Sequence, residues 1–347
     1  MKKWLTYIMV AMFCIGLASC ADVMDEGGGC PEGKATVRLK ISMPTAEGAP
    51  YSVARETTGE ERGSEYENTI KGTSDIHIYV FNNGDGSCMG EVTGLQLSGN
   101  DYDITREITG VLPDNVYGKS VRLVMMANYE SRGVALAVPG IGTKYADWKK
   151  NPTFGYGTVS WSVADGTSGK YIPMSGECVL TVAGNMGNSG EIPLERAVAK
   201  VRIKVADECD YSIASLQAKG AKDKGFCLAQ DPFAVPAEGA SLENVLKFTG
   251  NEITSGKQKE FYLPEQTPGG TSLELVMSEP GKGNTVENVP VEIRFKDYEA
   301  GSSEYEVRRN TIYEFLLSKG DDSGNIKTDV KSTVKKWVVE EINSDYE

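Results

Sequence analysis

One stretch near the start of the chain constrains the fold more than any other. Residues 35–43, Ala-Thr-Val-Arg-Leu-Lys-Ile-Ser-Met, alternate without a break. Ala35, Val37, Leu39, Ile41 and Met43 fall on one side, and Thr36, Arg38, Lys40 and Ser42 on the other. That two-residue period belongs to a strand with one buried face. Burying Val37, Leu39, Ile41 and Met43 contributes about 6–12 kcal/mol, at roughly 1.5–3 kcal/mol each, before the entropy of ordering them is counted. Behind the strand, residues 44–69 read as a loop. Pro44, Gly48, Pro50, Gly59 and Gly63 punctuate it, and Glu56, Glu60, Glu61, Glu65 and Glu67 charge it. Arg55 and Arg62 lie within it. Long exposed loops are where proteases cut. One cut here would free the strand and leave a hydrophobic groove edged by unpaired backbone groups, a template for a strand from another chain.

Ahead of the strand, Lys2 and Lys3 precede an apolar run from Trp4 to Ala18. The run is short for a bilayer and reads as a targeting segment over residues 1–19. It closes in Leu17-Ala-Ser-Cys20, which resembles the lipobox of bacterial lipoproteins. That resemblance implies cleavage before Cys20 and acylation of Cys20, with the buried acyl chains tethering the protein to a membrane. Residues 20–33 form the tether. Their early acids, Asp22, Asp25 and Glu26, resemble the surface-export signal of Bacteroidota lipoproteins.

Composition excludes several kinds of chemistry. A net charge of −13 argues against nucleic acid, whose phosphates need a basic surface. Of seven cysteines, Cys14 leaves with the targeting segment and Cys20 takes lipid. Cys30, Cys88, Cys178, Cys209 and Cys227 remain, an odd number without CxxC spacing. They form neither a disulfide framework nor a zinc site, and leave room for one disulfide of unassigned partners. The single histidine, His77, sits between Ile76 and Ile78 and reads as a strand histidine, not half of a Ser-His-Asp or Cys-His pair. Neither a dinucleotide fingerprint nor a Walker loop is present, and the acidic residues show no local glycosidase pattern. The expectation is a protein that is not an enzyme and needs no cofactor or metal.

Further strands read at residues 75–81, closed by a turn at 82–86, and at 102–108. Residues 121–129 form an almost continuous apolar run, the mark of a central strand. Residues 131–170 are irregular, and Tyr145, Trp148, Phe154, Tyr156 and Trp161 read as a core cap in preference to a glycan site. A strand over 177–183 leads through a turn at 184–190. Ala199, Val201, Ile203 and Val205 then alternate with Lys200, Arg202 and Lys204. Later strands fall at 211–216, 261–265, 273–277, 289–295 and 305–307. The end reads as a hairpin of 311–317 and 326–339. No long amphipathic helix is evident. Short strands at regular spacing with Gly/Pro turns make an all-β chain of two tandem sandwiches, residues 34–187 and 188–347, changing over near 184–191.

Several segments together resemble the Bacteroidales fimbrillin family, the type V pilins (FimA-like and Mfa-like). They are the lipobox at Cys20, the strand 35–43, the strand 76–81 with its Asn-Gly turn, and Met126-Ala-Asn128. Ile172-Pro-Met-Ser-Gly176, Leu194-Glu-Arg-Ala-Val-Ala-Lys-Val201, Phe261-Tyr-Leu-Pro-Glu265, Arg309-Asn310 and the last strand with Trp337 complete the set. The resemblance implies two transthyretin-like β-sandwich domains and export as an outer-membrane lipoprotein. It implies cutting by an arginine-specific protease in the loop after the first strand, at Arg55 with Arg62 next. The strand carrying Val37, Leu39, Ile41 and Met43 then departs. A C-terminal donor region around Ile326, Val330, Val334 and Trp337, from another copy or a related pilin, fills the groove. Such head-to-tail insertion does not close and grows fibres, with a host or bacterial surface as the adhesion target. The alternative is a monomeric surface lipoprotein that keeps its lipid and binds glycan or host protein through the aromatics of 145–161. An ancillary or tip subunit would combine the two.

Overall fold

The computed structural model describes residues 34–42, 59–62, 67–100, 105–155, 171–185, 187–207, 209, 212–242, 247–280, 286–298, 303–319 and 328–338, all within the unit 33–347. Strands make up most of their regular structure. In chain order they are β1 (Thr36–Ser42), β2 (Gly59–Arg62), β3 (Ile76–Asn82), β4 (Cys88–Glu91), β5 (Thr93–Ser98), β6 (Thr105–Val111) and β7 (Ser120–Ala127). A single helical turn, α1 (Tyr145–Trp148), precedes β8 (Thr153–Gly155), β9 (Met174–Thr181), β10 (Asn188–Pro193) and β11 (Glu195–Arg196). Then come β12 (Ala199–Val205), β13 (Ser212–Lys219), β14 (Lys224–Phe226), β15 (Lys247–Ile253) and β16 (Gln258–Leu263). The last four are β17 (Ser272–Pro280), β18 (Val286–Arg294), β19 (Thr311–Lys319) and β20 (Thr328–Val338).

Four sheets hold most of them. Their orders are β10-β1-β6-β5, β11-β9-β7-β3-β4, β16-β12-β19-β20-β2 and β15-β13-β17-β18, with β14 and β8 forming a small ribbon. The expected all-β class is what forms, and the local reasons are visible in the sequence. β3 and β7 are rich in β-branched and long apolar residues, and they pair antiparallel from Ile76–Ala127 to Asn82–Val121. β7 lies between β3 and β9, the central place its apolar run predicts. Asn128 ends it in the left-handed region at φ 66°. The Asn128 Nδ2 donates to the carbonyls of Thr69 (2.8 Å) and Ile172 (2.9 Å), and its Oδ1 accepts from Lys71 N (2.9 Å). A short amide tolerates that backbone conformation and ties three segments together at once.

Aromatic rings fill the cores. Tyr79 meets Trp148 edge-on at 5.2 Å, and Phe295 meets Tyr313 and Phe315 at 5.3 and 5.4 Å.

The structure departs from sequence expectation in several places. Residues 59–62, inside the expected loop 44–69, form β2, and residues 67–70 are buried. β10 pairs with β1, so sheet membership changes between Arg196 and Ala199, later than the expected change-over at 184–191. The irregular stretch after residue 131 contains α1 and β8. Residues 305–307 contribute one isolated bridge, Val307 to Gln266, and no strand. Lys200 and Arg202, alternate polar positions of β12, are buried because carboxylates meet them. Lys200 Nζ lies 3.2 Å from Glu67 and 3.1 Å from Glu260, and Arg202 lies 2.6 Å from Glu260 and 2.8 Å from Glu314.

Candidate functional site

β1 lies inside its sheet. Val37, Leu39 and Ile41 are at most 2% exposed, with Ala35 beside them. One edge pairs antiparallel with β6, from Thr36–Val111 to Ser42–Thr105. The other pairs parallel with β10, from Val37–Asn188 to Ser42–Pro193. β10 meets its sheet only through β1. Taking β1 out would therefore leave two facing ladders of unpaired N–H and C=O groups, two strand spacings apart, roughly 9–10 Å. The apolar floor would be exposed between them.

Two glycines shape that floor. Gly110 stands opposite Val37 and Gly190 opposite Leu39. A Cβ on Gly190 would fall 3.2 Å from Cys178 Sγ and 3.3 Å from Leu180 Cδ2, tight contacts that hydrogen avoids, and 3.5 Å from Leu39 Cδ2. The outer face is weakly held by comparison. Arg38 reaches Glu107 at 3.0 Å and Lys40 reaches Glu191 at 3.8 Å, both well exposed pairs of small net value. Asn188 Nδ2 donates to the Thr36 carbonyl (2.9 Å), and Thr36 Oγ1 donates to Asn185 O (3.2 Å), closing the end of the slot.

The chain is pinned again at Glu67. Its carboxylate accepts from Tyr262 Oη at 2.7 Å and from Lys200, and its carbonyl accepts from Arg196 Nε at 3.2 Å. Arg196 also bonds Asn68 Oδ1, and donates to Asn310 Oδ1 at 2.7 Å. Burial pulls the Arg196 guanidinium down to about 10, with Glu67 opposing. A cut anywhere between Ser42 and Glu67 would thus leave the remaining body anchored from Glu67 onward. Nothing in the sequence marks Glu67 as buried, because an acid in a charged stretch reads as solvated.

At the other end, β20 lies between β19 and β2. Val334 is buried and Val330 packs half-buried on the core. Trp337 stands opposite Glu61 in register, and Arg62 opposite Val338. Cys20, Cys30, Met43, Arg55 and Ile326 lie outside the described residues. That β6 and β10 wall the slot, and that residues 59–62 form a strand, are the parts of the site that sequence reasoning missed.

The remaining candidates are structural. His77 is a strand histidine with Nδ1 2.9 Å from Glu91 and Nε2 3.2 Å from Glu130. Trp148 and Phe154 are buried, and Trp148 Nε1 donates to Ala137 O at 2.6 Å, so these two aromatics cap the core; Tyr156 and Trp161 lie outside the described residues. Cys88, Cys178, Cys209 and Cys227 are free thiols. Burial, then Glu177, pushes Cys178 up to about 11, which suppresses its thiolate. Among the described residues there is no cluster arranged to hold a metal ion, and no helix long and apolar enough to cross a membrane.

Glu195 lines a cavity of about 100 Å³ with Tyr145, Lys149, Glu177 and Leu228. Burial pushes its carboxyl up to about 7 against the pull of Arg309. A raised carboxyl stabilises the fold fully below its unfolded pKa near 4.5, and that contribution fades as pH rises toward 7. Glu195→Gln is expected to flatten this slope and to gain up to about 3 kcal/mol at pH 8 relative to wild type. Urea denaturation between pH 4.5 and 8 reads it. An unchanged slope would place the titration elsewhere.

The model of the fimbrillin-A associated anchor proteins Mfa1 and Mfa2 matches residues 28–343. A candidate cell adhesion protein of Bacteroides eggerthii superposes with TM-score 0.54 at 14% identity, over 90% of this chain and 99% of its own. One of Parabacteroides distasonis gives 0.52 at 15%, over 88% and 98%. The C-terminally truncated tip fimbrial protein Mfa3 of Porphyromonas gingivalis gives 0.52 at 12%, over 88% and 100%. At such identities the likeness is one of fold. No curated protein matches.

Proposed function

Because this chain belongs to the family of the fimbrillin-A associated anchor proteins Mfa1 and Mfa2, we propose that it is a non-enzymatic fimbrial subunit of the cell surface whose β1 slot receives another subunit's strand. In this reading residues 1–19 direct export and Cys20 carries the lipid that holds the protein at the outer membrane. Two sandwich domains meet near Ala197, where sheet membership changes. An arginine-specific protease cuts at Arg55 or Arg62, and β1 departs. The β20 region of another copy or of a related pilin then takes its place, and the polymer serves adhesion.

The observation that carries this reading is the place of β1. It is central in its sheet, joined by main-chain ladders on both edges, and fills the floor through alternate side chains. Those are features any strand of the same pattern reproduces, because the ladders are backbone and the pockets recur every second residue. Keeping β1 in place until the cut prevents premature assembly.

Two measurements test it. N-terminal sequencing of protein taken from the cell surface is expected to begin at Glu56 or Gly63. A start at lipidated Cys20, with β1 retained, would discard proteolytic opening. Separately, the cut chain is expected to bind a synthetic peptide of residues 34–42 and to polymerise. A cut chain that stays monomeric and takes up no peptide would sink the strand-exchange reading.

A further inference from the structure

We propose that β2 is a latch on β20, and that the activating cut falls after Arg62, so that one event opens the β1 slot and frees the outer edge of the C-terminal strand. This rests on the reading above and adds to it the choice of bond and the coupling of two sites.

The pairing carries the argument. β2 runs parallel to the last residues of β20, with Gly59 opposite Lys335, Glu60 opposite Lys336, Glu61 opposite Trp337 and Arg62 opposite Val338. It is the outermost strand of the order β16-β12-β19-β20-β2, so β20 is its only neighbour in that sheet. It carries no apolar alternation. Its strand form comes from the backbone edge that β20 offers, and its two acids stand in register with a run that includes Lys335 and Lys336.

The two arginines now differ in consequence. A cut after Arg55 would leave β2 on the body, which is fixed from Glu67 onward by Tyr262, Lys200 and Arg196. There β2 would stay paired, and β20 would keep a ladder on each side at residues 335 and 336 and its only ladder at 337 and 338. A cut after Arg62 puts β1 and β2 on the same released piece. A four-residue strand has little of its own to hold it, so it leaves readily. Once it leaves, the outer edge of β20 is open at residues 335–338, with 335 and 336 held by β19 alone and 337 and 338 by neither strand. A donor strand must come away from its own sheet, and one ladder yields more readily than two. The acceptor and the donor are thereby armed by one bond.

The experiment uses the full chain with Arg55→Ala, with Arg62→Ala, and unaltered, each treated with an arginine-specific protease. Three readouts are taken: polymer by light scattering, amide hydrogen exchange of residues 328–338, and uptake of the 34–42 peptide. After the cut, Arg55→Ala is expected to polymerise like wild type, with amides 335–338 exchanging at least tenfold faster than in uncut protein. Arg62→Ala is expected to take up the peptide yet keep those amides protected, and to polymerise at least tenfold more slowly. Equal polymerisation of both, or failure of the Arg55→Ala chain to be cut after Arg62, would overturn the latch. If neither cut chain takes up peptide, the slot reading itself has failed, which is a distinct result. Glu60→Pro with Glu61→Pro, added to Arg62→Ala, removes two N–H donors from β2. It is expected to restore fast exchange and polymerisation, and absence of any restoration would equally overturn the latch.

Discussion

Leu39→Asp is expected to open the β1 slot without any cut. Leu39 is fully buried at the middle of β1, between Ile108 on β6 and Gly190 on β10. Losing its side chain forfeits about 2–5 kcal/mol. Placing a carboxylate in the same space costs several kcal/mol more, because the nearest groups at Gly190 are the apolar side chains of Cys178 and Leu180. Together these approach the roughly 4.5–9 kcal/mol that Val37, Leu39 and Ile41 supply at about 1.5–3 kcal/mol each. The strand then stays out while the rest remains anchored from Glu67. The uncut variant is expected to bind the wild-type 34–42 peptide and to unfold at lower temperature. Arg38→Asp is the control. Arg38 is exposed and its pair with Glu107 is worth at most about 1 kcal/mol, so that variant should stay closed. A Leu39→Asp chain as stable as wild type that binds no peptide would mean that β1 is not the plug.

Arg309→Ala is expected to destabilise the fold by about 3–5 kcal/mol, the usual cost of leaving one partner of a buried ion pair alone. Arg309 Nη2 lies 2.8 Å from Glu265 Oε2, with both side chains under a tenth exposed. The same guanidinium donates to the carbonyls of Phe226 (2.7 Å) and Cys227 (3.2 Å). Burial pulls its pKa down, but the charge and hydrogen bond of Glu265 outweigh this and hold it above the ordinary guanidinium value. Tyr129 Oη and Ser175 Oγ converge on that same Cys227 carbonyl at 2.7 and 2.8 Å. Arg309 therefore helps join β7 and β9 to the chain just ahead of β19. Chemical denaturation measures the loss. Changing both Arg309 and Glu265 to Met should recover part of it, since no lone charge then remains buried. A cost below about 1 kcal/mol for Arg309→Ala would show that water reaches Glu265 and that the junction is not sealed.

The all-β class, the strand 35–43, the central run 121–129 and the closing hairpin were legible in the residues. Alternation and β-branched content are local properties, and each of these segments carries enough of them to declare a strand and its buried face. The same rule misplaced Glu67, Lys200 and Arg202. A charge in an alternating pattern is assigned to water unless its partner is known, and the partners Tyr262, Glu260 and Glu314 lie far along the chain. The slot shows the same divide. Residues 35–41 announce a strand that wants cover, but that β6 and β10 provide it is a matter of pairing between segments far apart in the chain.

What the sequence by itself determined is which segments become strands and which side of each turns inward. Only the tertiary structure decided that β1 is internal to its sheet, that Glu67 pins the chain behind the loop, and that a charged tetrapeptide becomes a strand on β20. The physical reason is that side-chain period is written locally. Backbone hydrogen bonds carry no sequence label, and an ion pair becomes buried only when folding brings its two halves together.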